Sequence, residues 1–548
     1  MIWIKNIFFA LSISFIIGNN LTTRQSYEAL KHPNSLIHPT TSITNILRNG
    51  YGDLDLSEIL ELKGLGIEQK NGRLKSFYPN DLDKVHETEH FKIHYTLLGN
   101  DAVLNNEYIY KMGEIYEEVW SFFIDSLNYD PPINVNSNTE NLYKIYVENL
   151  PSFYFGVTYV EDEIDTNFSC TSFIKMRNNY SSSQFNEHTE IENIKVTAVH
   201  EFFHSIQFGY NCYEKLWLME ATAVWSEDQL YNSINDLYRY MPSWFSNPQK
   251  SLNDESYHMY GSFIFFQYIS EHIGGRNTIR ECWNQSRILA NKYYDNSILA
   301  VDNALKSNNT TFNDTHYKMR VANLIMSNNS ELDYYSYVEA EGYKTVLETL
   351  PQEIILFEKG EKNSIQIQNQ SSFSCSYYKI NTVEPIQIEL ESSNTDLALT
   401  AVTKVKNQNI WNISKRNKIN IDPSIDLEWI SLIVPTSSSP SFNFEYSIFF
   451  KDGNFEDFLF YPPFPNPSFS QDLVLKLKVI TPQKIDINVY NILGNEIWKN
   501  ELSSLQSEQK NLNWNKKDFF GKKVANGIYF IKAKGVRKFE TYKVIIVK

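Results

Sequence analysis

Basic clusters are missing from this 548-residue sequence, in which 50 Lys and Arg stand against 65 Asp and Glu and leave a formal net charge of −15. A chain without a basic run or stripe lacks the electrostatic footprint of proteins that bind nucleic acid or anionic membranes. Beyond residues 1–18 it also has no unbroken apolar stretch of transmembrane length. We therefore expect no nucleic-acid partner and no transmembrane span in the mature chain.

Cysteine is scarce, with four residues in the whole sequence: Cys170, Cys212, Cys282 and Cys375. Four cysteines in a chain of this length do not make a disulfide scaffold. They include no CxxC pair, which argues against a metal site built from thiolates. One or two disulfides stay open without an assigned pairing, and isolated buried thiols are an equally good interpretation.

The first residues, "MIWIKNIFFALSISFIIG", place Lys5 before a short apolar run that ends in a small residue. This is the pattern of a secretory signal peptide, here residues 1–18, and the alternative is an uncleaved N-terminal anchor. Residues 19–84 follow as an N-terminal extension or a propeptide. They contain one short helical candidate, "LDLSEILELKGLG", which ends in glycines as helices do.

The spacing of apolar residues changes twice along the rest of the chain, which predicts a multidomain α+β protein. Residues 85–350 begin with strand patterns such as Glu89–Thr96 and an amphipathic helix over Asn105–Ser126, and then turn mostly helical. Residues 351–455 alternate in short runs typical of a β-sandwich. A proline-rich joint then opens residues 461–548, which again read as short strands.

The segment "HEFFH" carries the strongest chemical signal. His200 and His204 are four residues apart and would share one face of a helix, as two ligands of a tetrahedral Zn²⁺ require. Glu201 beside them could take a proton from a water molecule at the metal. The competing interpretation is a core helix that contains two hydrogen-bonded histidines.

A third ligand is needed for a catalytic zinc site, which keeps its fourth position open. The metzincin pattern fails, because Gln207 and Tyr210 occupy the positions of its Gly and third His. Glu220, in the apolar stretch "LWLMEATAVWSED", is the best candidate because an unpaired carboxylate in such surroundings would be costly. Glu227 and Asp228 are weaker alternatives, and either could instead accept a hydrogen bond from a histidine.

Together these two segments resemble the gluzincin metallopeptidases, whose motif is HExxH followed by a helix of the form WxxEGxAxWxE. The resemblance implies a thermolysin-like domain with one catalytic Zn²⁺ held by His200, His204 and Glu220, and Glu201 as general base. Ala221 departs from the family's usual Gly. Glu220 follows His204 by only 16 residues, so we expect a short turn made by Gly209 with Asn211.

Peptide hydrolysis also needs a group that stabilises the oxyanion, and related gluzincins take it from a later helix. Tyr257, His258 and Tyr260 are the candidates here, and ordinary packing aromatics are the competing interpretation. No GxMEN-like aminopeptidase loop is present, which favours an endopeptidase. We expect a secreted zinc metallopeptidase that acts on extracellular protein. The alternative is a surface binding or adhesion protein with an inactive metalloprotease-like domain.

The C-terminal segment has its own resemblance. "FPNPS", "INVYNILGNEIW", "WNKKDFFGKKVANGIYFIKAKG" and "TYKVIIVK" follow one another in the order found in the sorting domain of the type IX (Por) secretion system. Residues 461–548 are therefore similar to that small β-sandwich domain. The resemblance implies the type IX machinery as a partner, and a protein that is secreted or held at the cell surface.

Overall fold

The computed structural model describes residues 22–547 apart from 33–37, 71–72, 79–80, 134–141, 152, 165–167, 348–349, 351, 361–362, 395, 408–410, 424–426, 438–442, 454–457, 481–482, 505–507 and 537. The signal peptide predicted at residues 1–18 lies outside the described residues. The chain divides into two compact units, of which the first holds Met1–Pro351 and the second holds Gln352–Ser439 and Asn443–Lys548. This multidomain α+β architecture confirms the coarse fold prediction.

The first unit opens with a stretch that we call the N-terminal segment, Thr22–Ser76. Its elements are the helices α1 (Thr23–Lys31), α2 (Pro39–Asn49) and α3 (Leu56–Glu61) and the antiparallel strands β1 (Ile67–Lys70) and β2 (Arg73–Ser76). Helix α2 starts with Pro39 in its first turn and His38 as N-cap. The helical candidate of the sequence is α3, which a 3₁₀ turn continues to a left-handed Gly66 with φ of 80°.

The N-terminal segment packs into the core of the first unit. Its buried residues Tyr27, Leu30, Ile43 and Ile46 lie in one apolar cluster with Tyr146, Val157 and Phe173 of the central sheet. The sequence left this stretch as an extension or a propeptide without assigning it a position.

The central sheet of the first unit has five strands in the order β3–β4–β5–β7–β6. The strands are β3 (Lys84–Glu87), β4 (Phe91–Tyr95), β5 (Tyr143–Glu148), β6 (Gly156–Glu163) and β7 (Cys170–Arg177). The β4–β5 and β5–β7 pairs are parallel, and β3 and β6 close the two edges antiparallel to their neighbours. Every residue of β7 is buried, as expected for a strand covered on both faces.

Helices make up most of the remaining first unit, in agreement with the helical spacing of apolar residues in the sequence. They are α4 (Asn106–Trp120), α5 (Glu190–Asn211), α6 (Leu216–Tyr231), α7 (Met241–Ser246), α8 (His258–Gly261), α9 (Phe263–His272), α10 (Arg276–Ile288), α11 (Ser297–Lys306), α12 (Phe312–Ile325) and α13 (Ala340–Tyr343). A π-helical turn, Ser121–Ser126, extends α4 to the end predicted for it. Among the described residues, none of these helices combines the length and apolarity that crossing a membrane requires.

The second unit contains two β-rich parts. The first part pairs the sheets β13–β12–β15–β10–β8 and β14–β11–β16–β9. Their strands are β8 (Glu353–Leu356), β9 (Asn363–Ser371), β10 (Cys375–Asn381), β11 (Ile386–Glu391), β12 (Thr400–Val405), β13 (Trp411–Lys415), β14 (Lys418–Ile421), β15 (Leu427–Pro435) and β16 (Asn443–Asp452). Side chains from both sheets, such as Ile388 and Leu432, share one apolar core, which is the arrangement of a sandwich.

The C-terminal part is a smaller pair of sheets, β17–β18–β21 and β20–β19–β22–β23. Its strands are β17 (Phe458–Phe460), β18 (Leu473–Val479), β19 (Gln483–Asn491), β20 (Glu496–Ser504), β21 (Glu508–Trp514), β22 (Gly527–Lys534) and β23 (Phe539–Ile546). Trp514 lies fully buried in its core. A C-terminal β domain therefore stands where the sequence predicts one.

Candidate metal centre

Helix α5 carries the HEFFH segment through the middle of the first unit. It begins at a capping box in which Thr189 and Glu192 satisfy each other's backbone N–H groups, and it is buried from Val196 to Asn211. A disulfide joins its C-cap, Cys212, to Cys170 at the start of β7, which settles the pairing that the sequence left open. Cys282 and Cys375 are buried and take part in no disulfide among the described residues.

The turn after α5 differs from the one expected. Gly209 lies inside the helix rather than in the turn, and α6 begins at Leu216 after a connection over residues 212–215. Asn211 does take part, because its side-chain oxygen accepts a hydrogen bond from the Tyr213 N–H at 3.0 Å. A polar side chain can end a helix in this way without a glycine, and so α6 packs back against α5.

His200 and His204 lie one turn apart on α5 and aim their imidazoles at one point. Their Nε2 atoms are 3.1 Å apart and their ring planes are inclined by 82°. Glu220 enters from α6, with one carboxylate oxygen 3.3 Å from His200 Nε2 and the other 3.6 Å from His204 Nε2. All three side chains are almost completely buried. The structure therefore brings the three candidate ligands of the sequence together.

Acceptors behind the two rings fix their orientation. Glu227 Oε1 lies 2.6 Å from His200 Nδ1, and Gln207 Oε1 lies 2.8 Å from His204 Nδ1. Gln207 Oε1 can only accept, so His204 Nδ1 carries a proton, and the carboxylate of Glu227 favours a proton on His200 Nδ1 as well. The two Nε2 atoms therefore face each other, and at this distance they repel unless a proton or a metal ion lies between them.

The electrostatics of the cluster favour such a cation. Burial would lower the pKa of His200, but the carboxylates of Glu220 and Glu227 raise it to about 10. Burial would raise the pKa of Glu220, but the two histidines hold it well below its usual value. A proton or a metal ion at Nε2 supplies the positive charge that this arrangement stabilises.

The separations and donor types fit zinc. Four ligands placed roughly 2.0–2.1 Å from Zn²⁺ in a tetrahedron are about 3.3–3.4 Å from one another. The separations of 3.1, 3.3 and 3.6 Å between His200, His204 and Glu220 lie around this value. Among the described residues, Glu220 Oε2 and Glu201 Oε1 are buried and accept no hydrogen bond, and the nearest ring nitrogens lie 3.3 and 3.2 Å from them. Oxygens in this position can bind a metal or its water.

Glu201 follows His200 on α5, and its side chain is completely buried. Its Oε2 accepts hydrogen bonds from Thr158 Oγ1 on β6 at 2.6 Å and from Thr40 Oγ1 at 3.0 Å. Gly156 at the start of β6 makes room for it, because a Cβ there would be 3.0 Å from Glu201 Cγ. Its remaining oxygen, Oε1, is directed at the cluster.

A fourth potential ligand comes from the N-terminal segment. The donor atoms of His38, His200, His204 and Glu220 all lie within 4.8 Å of one another. His38 Nε2 is 3.2 Å from Glu201 Oε1, and burial lowers the pKa of His38 to about 4, which leaves the ring neutral. No local motif connects residue 38 with HEFFH, so this histidine was not among the candidates predicted from the sequence.

The three candidates for oxyanion stabilisation have different positions. Tyr260 on α8 reaches the centre, where its hydroxyl accepts a hydrogen bond from the His38 N–H at 2.6 Å. Burial and the nearby charge of Glu220 raise its pKa well above the usual value. Tyr257 packs against Tyr260, with ring centroids 5.5 Å apart and ring planes inclined by 49°. The ring of His258 instead packs on Trp244 at 4.5 Å, and its nitrogens make no hydrogen bond within the described residues.

The two weaker ligand candidates of the sequence are also separated. Glu227 contacts the Nδ1 of His200. Asp228 makes no hydrogen bond with the residues of the centre among the described residues, and its Oδ1 is buried without any described hydrogen-bond partner. Burial raises the pKa of Asp228 to about 7. Gln207, which orients His204, was not singled out in the sequence.

One family model matches about half of the chain. A model described as "Family of unknown function (DUF6055)" matches residues 100–384, which is 285 of 548 residues. The chain belongs to the DUF6055 family. The DUF6055 match contains HEFFH and Glu220, and the N-terminal segment lies outside it. Because the function of the family is unknown, membership assigns no activity.

A second family model identifies the C-terminal segment. The "Secretion system C-terminal sorting domain" matches residues 463–548, inside the range predicted from the sequence. This DUF6055 protein therefore carries a sorting domain that interacts with the type IX secretion machinery, and it is exported to the cell surface or secreted.

Other comparisons give distant likenesses. None of the curated proteins matches the chain. Among the solved structures, PorZ of Porphyromonas gingivalis, an essential surface component of the type IX system, has a TM-score of 0.15 and 12% identity over 27% of this chain and 23% of that one. Latent PorU of the same organism has a TM-score of 0.16 and 12% identity over 34% and 20%. The Salmonella Typhimurium lysozyme inhibitor PliG has a TM-score of 0.14 and 9% identity over 18% and 97%. The DUF6055 chain thus spans less than a quarter of PorZ and of PorU. With TM-scores this low, none of these structures indicates a fold or a function for the chain.

Proposed function

We propose that this DUF6055 protein is a secreted zinc metallopeptidase of the gluzincin type that hydrolyses peptide bonds in extracellular proteins. One observation carries the proposal: the Nε2 atoms of His200 and His204 are 3.1 Å apart and lie 3.3 and 3.6 Å from the two carboxylate oxygens of Glu220, with the buried carboxylate of Glu201 beside them. Two imidazoles and one carboxylate are the ligand set of thermolysin-type catalytic zinc. The export signal at the C-terminus supports an extracellular substrate.

The roles of the residues follow from their positions. Zinc bound here would act as a Lewis acid and lower the pKa of a nearby water. Thr158 and Thr40 bind Oε2 of Glu201, so Oε1, which faces His38, is the oxygen that would act as the base. Glu201 would accept the proton of the attacking water at Oε1 and pass it to the nitrogen of the leaving amine.

Two neighbouring groups would position the substrate. The hydroxyl of Tyr260 is the candidate donor to the carbonyl oxygen that becomes negatively charged, because it is the only one of the three sequence candidates with a contact to the residues of the centre. Strand β6 lies at the edge of its sheet and bears Thr158, a contact of the base. An extended peptide could pair with such an edge strand, which suits an endopeptidase.

The proposal is tested by metal content and by hydrolysis of a protein substrate such as casein. One zinc per chain is expected in the full-length protein, and His200→Ala should lose it. Glu201→Gln should keep the zinc but slow hydrolysis by about 10²–10⁴-fold, the usual contribution of a general base. The assay is run in the wild type and in a His38→Ala background, because His38 lies against Glu201. Equal hydrolysis with Glu or Gln at position 201, or none in either background, would refute the proposal.

A further inference from the structure

Helix α2 and its N-cap lie directly on the face of the centre where a substrate would bind. His38 Nε2 is 3.2 Å from Glu201 Oε1, and the backbone N–H of His38 donates to Tyr260. Thr40 donates to the other oxygen of Glu201, and Thr41 donates to Glu220. One short stretch of chain therefore contacts the proposed base, one proposed ligand and the proposed oxyanion donor.

The same stretch occupies the edge strand of the sheet. The backbone N–H of Thr158 on β6 donates a hydrogen bond to Thr40 Oγ1 at 2.9 Å. An incoming peptide would use free backbone groups of this kind to add a strand to the sheet. With α2 in place, this donor is already taken.

The composition of α2 is unusual for a core helix. Every residue from Pro39 to Ile46 is buried, and five of these eight are Thr, Ser or Asn. The hydroxyls of Ser42 and Thr44 are buried and make no hydrogen bond with any residue that the structure describes. Buried hydroxyls without hydrogen bonds destabilise a protein core that is never opened. A polar helix is better suited to a cleft that it later leaves, because water or a peptide can then fill the cleft.

Little space remains at the centre while α2 is bound. The cavity lined by His38, His200, Glu201 and Phe155 has a volume of about 30 Å³. This is comparable to the volume of a single water molecule, and it is far below the roughly 300–1,000 Å³ of a small-ligand site. A peptide substrate cannot enter this arrangement.

We propose that the N-terminal segment is an inhibitory segment in which His38 takes the fourth position of the metal centre and keeps the peptidase latent until the segment is removed or displaced. The inference rests on the proposed function and adds its regulation. A catalytic zinc site keeps one position open, and His38 is the residue near enough to fill it, because its donor atom lies within 4.8 Å of those of His200, His204 and Glu220. The alternative is a closed structural site in which His38 is a permanent ligand needed for zinc binding.

The test compares the full-length wild type with His38→Ala and a matched control, His32→Ala. His32 lies in the same segment at the end of α1, and its side chain is 71% exposed. Zinc per chain is measured first. Each protein is then loaded with Co²⁺, and its visible spectrum is titrated with benzohydroxamate, a small ligand that binds an open metal position. Casein hydrolysis is the second readout.

An inhibitory segment predicts that His38→Ala keeps one metal ion and binds benzohydroxamate about tenfold or more tightly than the wild type, because apparent affinity scales with the fraction of open centres. Hydrolysis should rise in parallel, and His32→Ala should match the wild type. Loss of zinc in His38→Ala would overturn the inference in favour of a structural site. Unchanged benzohydroxamate affinity with retained zinc would overturn it as well.

A second variant acts at a distance from the metal, for the case that His38→Ala does not fold. Arg48, near the far end of α2, donates to the backbone oxygen of Glu214 at 2.9 Å and contacts Met219 Sδ at 3.3 Å. Arg48→Ala should loosen α2 and raise benzohydroxamate affinity with the ligand set intact, and unchanged affinity would count against the inference. If benzohydroxamate binds more tightly but no variant hydrolyses casein, the inhibitory geometry stands and the peptidase function fails.

Discussion

Glu227 offers a sharp test of whether the centre is built for a metal. Its side chain is 4% exposed, and Oε1 lies 2.6 Å from the Nδ1 of His200. Replacement by Gln keeps the size of the side chain and an oxygen acceptor, but it removes the negative charge. If His200 binds zinc through Nε2, this charge strengthens the ligand from behind.

The expected magnitude follows from that contact. Loss of a carboxylate behind a metal-bound histidine typically reduces metal affinity about 10–100-fold, which corresponds to about 1.4–2.8 kcal/mol. Glu227→Gln should therefore raise the dissociation constant of zinc by this factor. Glu220→Gln, which changes a ligand itself, should weaken zinc binding further.

The adjacent Asp228 supplies the matched control. It is also buried, and burial raises its pKa to about 7, as it raises that of Glu227. Asp228 makes no contact with His200 among the described residues, so Asp228→Asn should leave zinc affinity unchanged. The dissociation constants are measured at one pH by competition with a chromophoric chelator. Wild-type affinity in Glu227→Gln, or an equal loss in Asp228→Asn, would refute the reasoning.

Two further predictions concern stability. Exchanging Cys170 and Cys212 together for Ser removes a disulfide that spans 42 residues, which should lower the free energy of unfolding by about 4 kcal/mol. Calorimetry of the variant and of the reduced wild type checks this, and an unchanged melting temperature would contradict it. Burial raises the pKa of Glu214 from 4.5 to about 6. The folded state thus holds its proton more tightly, so about 2 kcal/mol of stability, present below pH 4.5, is lost as the pH rises to about 6. Glu214→Gln should remove this step from the profile of unfolding free energy against pH, and parallel profiles for the two proteins would exclude it.

The predictable part of the centre is local in sequence. His200 and His204 share a helix face because residues four apart always do, and Glu220 stood out as a carboxylate in an apolar helix that needed a partner. Strand β4 and helix α4 followed from period-two and helical patterns in the same way. Gly209 failed as a turn residue, because a glycine inside a long helix can be accommodated when tertiary packing favours the helix.

The part that could not be predicted depends on contacts between distant residues. Thr40 and Glu201 are 161 residues apart, and Tyr260 is 222 residues from His38. Periodicity and capping signals describe neighbours along the chain and say nothing about such pairs. The apolar positions Ile43 and Ile46 mark α2 as a helix with one buried face, but its opposite, polar face is also covered. A sequence pattern assigns threonine and serine hydroxyls to solvent, whereas here the hydroxyls of Thr40 and Thr41 are buried against Glu201 and Glu220. The buried polar face of α2, which lacks full hydrogen bonding, is therefore the feature that suggests the proposed inhibitory role of the N-terminal segment. It is visible only once the fold is known.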